Sequence, residues 1–554
     1  MRTLPAWRGR VADAVVMAAM IVVPLASSSA FVDQYTTVKW YVVHALAAAW
    51  LVVEVWICRS AGWPALVRER PVAGAALAVL AAWSGFRGGP ERAVAPLVDR
   101  AACAVLALCA SWYFTRNAGR TRPLVAGLSV SAALTIALGL SQAGGLPVPS
   151  ALAAAEGPAA LFGNVNMAAQ FLGLALLLIL PAPAAGDGAR RRAWAAFRVA
   201  LAATGALYLI VLSSRSVLLA LAVAAACLGW RRRRALGFAA AAAAVLLLAL
   251  AWWRPGALGD PGAPARKASS VELRLALWSD TVSLIRDHPL GVGTGNFEHA
   301  FLPYQAAGRL QPLEALVYRG PHNEYLRLLA EDGVVFCGLL AVLAAFLAAY
   351  GRRSPPTSPD LRALVVAWGA FLAAESVFQF PLALAFGALA ASIAVGAALA
   401  GRGDGEPVRA SPAAWRTGAT VASVLLMAGS LRVARSEALY VQGRDDLASL
   451  RRACALDARN LPACVTAAWL EVEAGDTAAA KARLDGIFAA TPRYPPALRL
   501  RGEIAAMEGD EAEACRRLSA YDALFRGASA VHESAARACA AARLLQTRKD
   551  LGVA

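Results

Sequence analysis

The sequence predicts an all-α protein in two parts, a polytopic membrane domain over residues 1–433 and a helical repeat domain over residues 434–554. Three observations predict it. Of the 554 residues, 59% are hydrophobic and 16% charged, and the mean hydropathy is +0.53. A soluble protein of this length does not carry so much apolar sequence. Second, Arg-rich loops keep step with the apolar runs: Arg59 to Arg70, Arg116 to Arg122, Arg190 to Arg198, Arg231 to Arg234, Arg352 to Arg353 and Arg402 to Arg416. Third, membrane-length runs stop near residue 434, and the rest repeats at an offset of 34 residues.

The formal charge of +17 invites a nucleic-acid partner. The placement of the Arg residues at the ends of apolar segments argues against one, because short basic loops mark the cytoplasmic side of a membrane. The nine Cys form no CxxC pair and no His/Cys metal spacing, so no metal site and no cofactor are predicted. The first thirty residues, with Arg2, Arg8 and Arg10 before an apolar run, resemble a cleaved signal peptide. Retention as a membrane anchor is preferred, since all later loops then obey the charge rule.

A membrane helix needs about 20 apolar residues. Segments of that kind fall at 11–31, 41–58, 72–86, 96–114, 123–142, 166–185, 193–213, 216–230, 235–253, 333–350, 361–380, 382–400 and 417–433. Counting these gives about thirteen transmembrane helices. With the N-terminus cytoplasmic, the turn Ser213-Ser214-Arg215, the long loop 254–332 and the C-terminal domain all lie outside the cytoplasm.

That loop is not a plain linker. Leu273, Leu277, Val282 and Ile285 suit an amphipathic helix lying on the membrane face. Gly291-Val292-Gly293-Thr294-Gly295 follows. It lacks a preceding strand and a following Gly-Lys-Ser/Thr, so a tight turn is preferred over a nucleotide site. After Pro321 a helix is expected to begin at His322 or Asn323 and run toward the tenth span. A loop this long with helices of its own is more often functional than idle.

In the C-terminal part, Gly475-Asp476 recurs as Gly509-Asp510, Leu484 as Leu518, and Pro462-Ala463 as Pro496-Ala497. A 34-residue period of paired amphipathic helices is the signature of tetratricopeptide repeats. Such repeats bind peptides or protein surfaces, so a protein partner is expected here, with a plain helical spacer as the alternative. Cys454, Cys464, Cys515 and Cys539 sit where disulfides can form outside the cytoplasm, and buried free thiols are the equal alternative.

Four stretches carry a family resemblance: "LFGNVNMAAQFLG" at 161–173, "SSRSVLLAL" at 213–221, "RLALWSDTVSLIRDHPLGVGTGNFEHAFLPYQ" at 274–305 and "HNEYLRLLAEDGVVFCGLL" at 322–340. In sequence and in order they resemble the O-antigen ligase and polymerase superfamily, bacterial membrane glycosyltransferases that act on lipid-linked glycans. The resemblance implies a multi-pass protein of the bacterial inner membrane, with the long loop and the C-terminal domain in the periplasm. It implies a polyprenyl (undecaprenyl) diphosphate-linked glycan as donor. The acceptor stays open among lipid A–core, another glycan and a protein hydroxyl.

This chemistry asks for cations on the leaving diphosphate and a base for the acceptor hydroxyl. Arg215 and Arg274 match family arginines, and a guanidinium offers a permanently charged, bidentate fork to phosphate. Their ordinary alternatives are a headgroup contact for Arg215 and a solvated helix face for Arg274. His322, in "HNEYL", is the candidate base, since an imidazole titrates near about 6.5; its alternative is a helix cap. Asn164, Asn166, Asn323 and Tyr325 complete the predicted substrate-binding set. Helix capping is the competing role for the first two, and Tyr325 lies three residues from His322, on its face if both are helical. Glu331 and Asp332 read as interfacial charges, and Glu375 and Gln379 fall at the outer end of the eleventh span. The long loop holds no Asp-x-Asp pair, so the transfer is expected to be metal-independent. Two other classes compete. A transporter needs midspan polar groups, and a scaffold needs only the repeats.

Overall fold

The computed structural model describes residues 6–31, 33–60, 83, 94–117, 121–149, 157–182, 188–232, 270–305, 320–353, 358–400, 412–524 and 531–550. Among them every regular element is helical. In chain order the helices are α1 (Ala6–Leu25), α2 (Thr37–Val52, extended by a π turn over Val53–Ile57), α3 (Val94–Arg116), α4 (Arg122–Ala143), α5 (Val165–Ile179), α6 (Gly188–Leu212) and α7 (Arg215–Arg232). Then come α8 (Ser270–Asp287), α9 (Phe297–Ala300), α10 (Glu324–Arg353), α11 (Pro359–Glu375), α12 (Ala385–Leu399) and α13 (Pro412–Gln442). The expected span 235–253 and all of the expected span 72–86 except residue 83 lie outside the described residues, as do 254–269 and 306–319 of the long loop.

Six described helices are long and apolar enough to cross a membrane: Thr37–Ile57, Ala95–Arg116, Arg122–Ala143, Gly188–Leu212, Glu324–Phe346 and Ala413–Gln442. Val165–Ile179, Arg215–Leu228 and Ala385–Leu399 are apolar but shorter. The helices pack through one continuous apolar core that includes Trp50, Tyr113, Phe171, Tyr208 and Trp368. Small residues let backbones approach closely: a Cβ on Gly396 of α12 would stand 2.5 Å from the Ala107 carbonyl of α3.

The expectation for α8 needs correction. Its apolar face is covered by protein. Leu277 and Leu284 are buried against Phe297, Phe301 and Ala330, so the helix packs on α9 and α10.

The C-terminal part comprises α14 (Leu447–Leu456), α15 (Leu461–Glu473), α16 (Thr477–Ala490), α17 (Pro495–Met507), α18 (Glu511–Leu524) and α19 (His532–Asp550). Both ends of α15 and α16 recur 34 residues later as the ends of α17 and α18. Asp446, Asn460 and Asp476 cap the helices that follow them, and the Asp476 cap recurs 34 residues later at Asp510, which accepts the Glu513 amide. Glu471, fully buried, takes Arg451 at 2.8 Å and Arg483 at 2.6 Å. Cys454 is bonded to Cys464 and Cys515 to Cys539.

Candidate active site

Three helix ends and one turn meet where the predicted residues fall. Helix α10 begins at Glu324, one residue or more later than expected, because Asn323 caps it: its Oδ1 accepts the Leu326 amide at 3.0 Å. The Glu324 amide in turn donates to the carbonyls of Ser376 (2.8 Å) and Gln379 (3.0 Å), pinning the start of α10 to the end of α11. His322 sits in the turn before the helix at φ 50°, a left-handed conformation that costs a non-glycine residue energy. Its ring lies beside Phe380, with centroids 5.2 Å apart, and its Nδ1 is 3.4 Å from Gln379 Oε1.

Trp278 of α8 donates to the Pro321 carbonyl at 2.9 Å and so ties α8 to this turn. Arg274 is one helical turn before Trp278, on the same face. It comes within electrostatic reach of both His322 and Glu375. Burial pushes the His322 imidazole below its ordinary value, the Arg274 charge adds to that, and the Gln379 contact opposes it. Near neutral pH the ring is therefore uncharged and able to accept a proton. Burial likewise lowers Arg274, while Glu375 supports its charge.

Arg215 is the first residue of α7, and both of its neighbours are tied down. Ser214 Oγ donates to Asn166 Oδ1 at 2.8 Å, and Ser216 Oγ donates to Glu375 Oε1 at 3.0 Å. Ser213 holds the preceding turn at φ 52°. Glu375 is fully buried, and its Oε2 has no hydrogen-bond partner among the described residues. Asn164 caps α5 by accepting the Asn166 amide at 2.9 Å, the capping role weighed for it above.

The structure thus gathers Arg274, His322, Asn323, Glu375 and Gln379, with Arg215 bracketed by residues bonded to α5 and α11. Tyr325 is turned elsewhere: its hydroxyl donates to the Ala373 carbonyl at 2.8 Å and its side chain is half-exposed. Because His322 precedes the helix, the helical face it was expected to share with Tyr325 does not exist. Ser216 and Trp278 were missed by sequence reasoning, although both lie inside the quoted motifs.

Glu331 and Asp332 also need correction, since neither is an interfacial charge. Both are buried. Glu331 Oε2 accepts from Arg327 at 2.8 Å. Asp332 accepts a two-pronged pair of bonds from Arg100 at 3.0 and 2.7 Å, and another from Thr294 at 2.8 Å. Helix α10 breaks just beyond, at Gly333 (φ 84°, ψ 171°). The freed carbonyls of Ala330 and Glu331 accept the amides of Val292 (2.9 Å) and Gly293 (2.8 Å), and Val334 donates to the Pro289 carbonyl at 2.9 Å. A Cβ at Gly333 would stand 2.3 Å from the Leu290 carbonyl carbon, and one at Gly291 2.4 Å from the Glu331 oxygen. The glycine run is therefore a backbone dock for the broken helix.

Residues 199–343 match the family model described as O-antigen ligase. The match spans Arg215, Arg274 and His322 and ends before Glu375 and Gln379. No curated protein matches the chain. With its several apolar membrane-length helices, this domain supports a multi-pass bacterial membrane enzyme of the ligase or polymerase type.

Proposed function

We propose that this protein transfers a glycan from a polyprenyl diphosphate carrier to an acceptor hydroxyl at the periplasmic face of the bacterial inner membrane. The observation that carries the reading is the meeting of Arg274, His322 and Glu375 at one corner, with Arg215 held beside it through Ser216. In this reading Arg215 and Arg274 bind the donor diphosphate, and two guanidiniums replace the divalent cation often used for that charge. His322, kept neutral, accepts the proton of the acceptor hydroxyl through Nε2. The acceptor oxygen bonds to the anomeric carbon as the bond to the diphosphate breaks. The polyprenyl diphosphate leaves with the electron pair, and the proton stays on His322 until it is released to water. In this reading Asn164, Asn166 and Asn323 are the polar groups that meet the substrates, and Tyr325, whose hydroxyl is given to the Ala373 carbonyl, is left out of the set.

The proposed topology has thirteen spans, a cytoplasmic N-terminus and a periplasmic C-terminal domain. Two observations support the last point. Arg459 of the C-terminal domain touches Gly295 and Asn296 of the long loop, which favours one side for both. The pairs Cys454–Cys464 and Cys515–Cys539 suit an oxidising compartment. The 34-residue recurrence supports tetratricopeptide-like repeats, which would recruit a protein partner or a protein acceptor. Ligation to lipid A–core, polymerisation and protein glycosylation share this chemistry and differ only in the acceptor. Purified protein in nanodiscs, given a polyprenyl diphosphate oligosaccharide and each acceptor in turn, tests the reading: transfer is expected with one of them and lost in His322→Ala.

A further inference from the structure

A ring of polar contacts joins the C-terminal domain to the helix that begins beside His322. Arg459, in the turn between α14 and α15, donates through Nη2 to the Gly295 carbonyl at 2.8 Å and to Asn296 Oδ1 at 2.9 Å. Gly295 is pinched at this point. A Cβ there would stand 2.6 Å from Pro96 of α3 and 3.3 Å from the Arg459 guanidinium. Thr294, the preceding residue, bonds to Asp332, and Arg100 of α3 holds the same carboxylate. Next to Arg100, Asp99 lies 2.9 Å from His44 Nε2, whose Nδ1 lies 2.9 Å from Ser430 of α13. Helix α13 leads into the C-terminal domain and is bonded to it, Ser436 Oγ donating to the Ala453 carbonyl at 2.7 Å and Asn460 to Ser436 at 3.1 Å. The ring therefore closes on the domain from which Arg459 projects.

We propose that Arg459 is a positioning residue for glycan transfer: it clamps the 291–296 loop against the break in α10 and so holds the turn that carries His322. This rests on the function proposed above. The loop reaches α10 through main-chain bonds from Val292 and Gly293, which freeze the helix at Ala330 and Glu331. The start of that same rigid segment, Glu324, is bonded to α11. Without the clamp, the loop keeps its sequence and loses a charge-assisted anchor of the kind that costs most when removed. Arg459 lies outside residues 199–343, so the match to the O-antigen ligase family says nothing about it.

The test uses the full chain in nanodiscs. Arg459→Ala is expected to speed hydrogen exchange at the Val292 and Gly293 amides about tenfold. It is expected to lower kcat by about the same factor while the donor KM stays within about twofold. Arg459→Lys, which keeps one charged donor, should fall between this variant and the wild type. Asn296→Ala approaches from the loop side and leaves the C-terminal domain untouched; it removes the Arg459 contact and also the Asn296 bond to the Val292 carbonyl, and it should speed exchange and slow transfer in the same direction. Exchange at wild-type rates in Arg459→Ala overturns the clamp. Faster exchange with an unchanged kcat overturns the positioning role. His322→Ala transferring at the wild-type rate removes the functional reading and the positioning role with it, whereas loss in His322→Ala beside full activity in Arg459→Ala defeats this inference alone.

Discussion

The amide oxygen of Gln379 lies 3.4 Å from Nδ1 of His322, and the two residues come from different helix ends that the Glu324 amide and the Tyr325 hydroxyl join. With the proton on Nδ1 facing Gln379, Nε2 is left as the acceptor. The contact also works against burial, which pushes the imidazole toward its neutral form.

Since His322 titrates below the ordinary imidazole value, kcat/KM for transfer should hold steady as pH falls through about 6.5 and drop only below it. Arg274→Gln removes a charge that lowers the His322 value, so the acid limb of its residual activity should move to higher pH. Gln379→Leu removes a contact that raises it, so that limb should move lower. A pH–rate profile of the three proteins checks both directions.

Arg274→Ala should cost about 10²–10³ in kcat, the scale seen when one preorganised donor to developing charge is lost. Arg274→Lys should recover only part, because an ammonium cannot form the planar fork. Single-turnover rates with a fixed lipid-linked donor distinguish the two.

Glu375→Gln should keep the Ser216 bond and lose the charge set against Arg274. With that charge gone, Arg274 holds diphosphate unopposed. Donor KM and kcat should then fall together, product release becoming slower, and product inhibition by polyprenyl diphosphate should tighten.

Asp332→Leu leaves Arg100 and Thr294 without their shared partner. Arg100 is part-exposed, so the cost should stay below the about 3–5 kcal/mol of a fully buried pair, and the apparent Tm in detergent should drop below that of the wild type. Gly333→Ala should also destabilise, by about 1–3 kcal/mol for strain at φ 84° and further through its clash with Leu290.

Some of this architecture was legible in the sequence because its causes are local. Apolar runs of membrane length mark the helices, and the Gly-Asp cap that recurs from Asp476 to Asp510 marks the turns of the C-terminal part. Arg215, Arg274 and His322 are candidates through motif resemblance alone. What was not legible depends on partners far apart in the chain. Asp332 looked like a surface charge because Arg100 is 232 residues away, and Glu375 gave no sign of Ser216, 159 residues before it. The left-handed turn at His322 likewise follows from bonds made by Trp278 and Glu324, not from the residues inside the turn.

The central claim is that His322 and the two arginines perform glycan transfer. Its most direct measurement is the transfer rate of purified protein in nanodiscs, with a polyprenyl diphosphate oligosaccharide, its acceptor and a chelator. The wild type should transfer in the presence of chelator, and His322→Ala, Arg215→Ala and Arg274→Ala should each lose at least about 10² in rate. Equal rates in the wild type and the three variants would contradict the account.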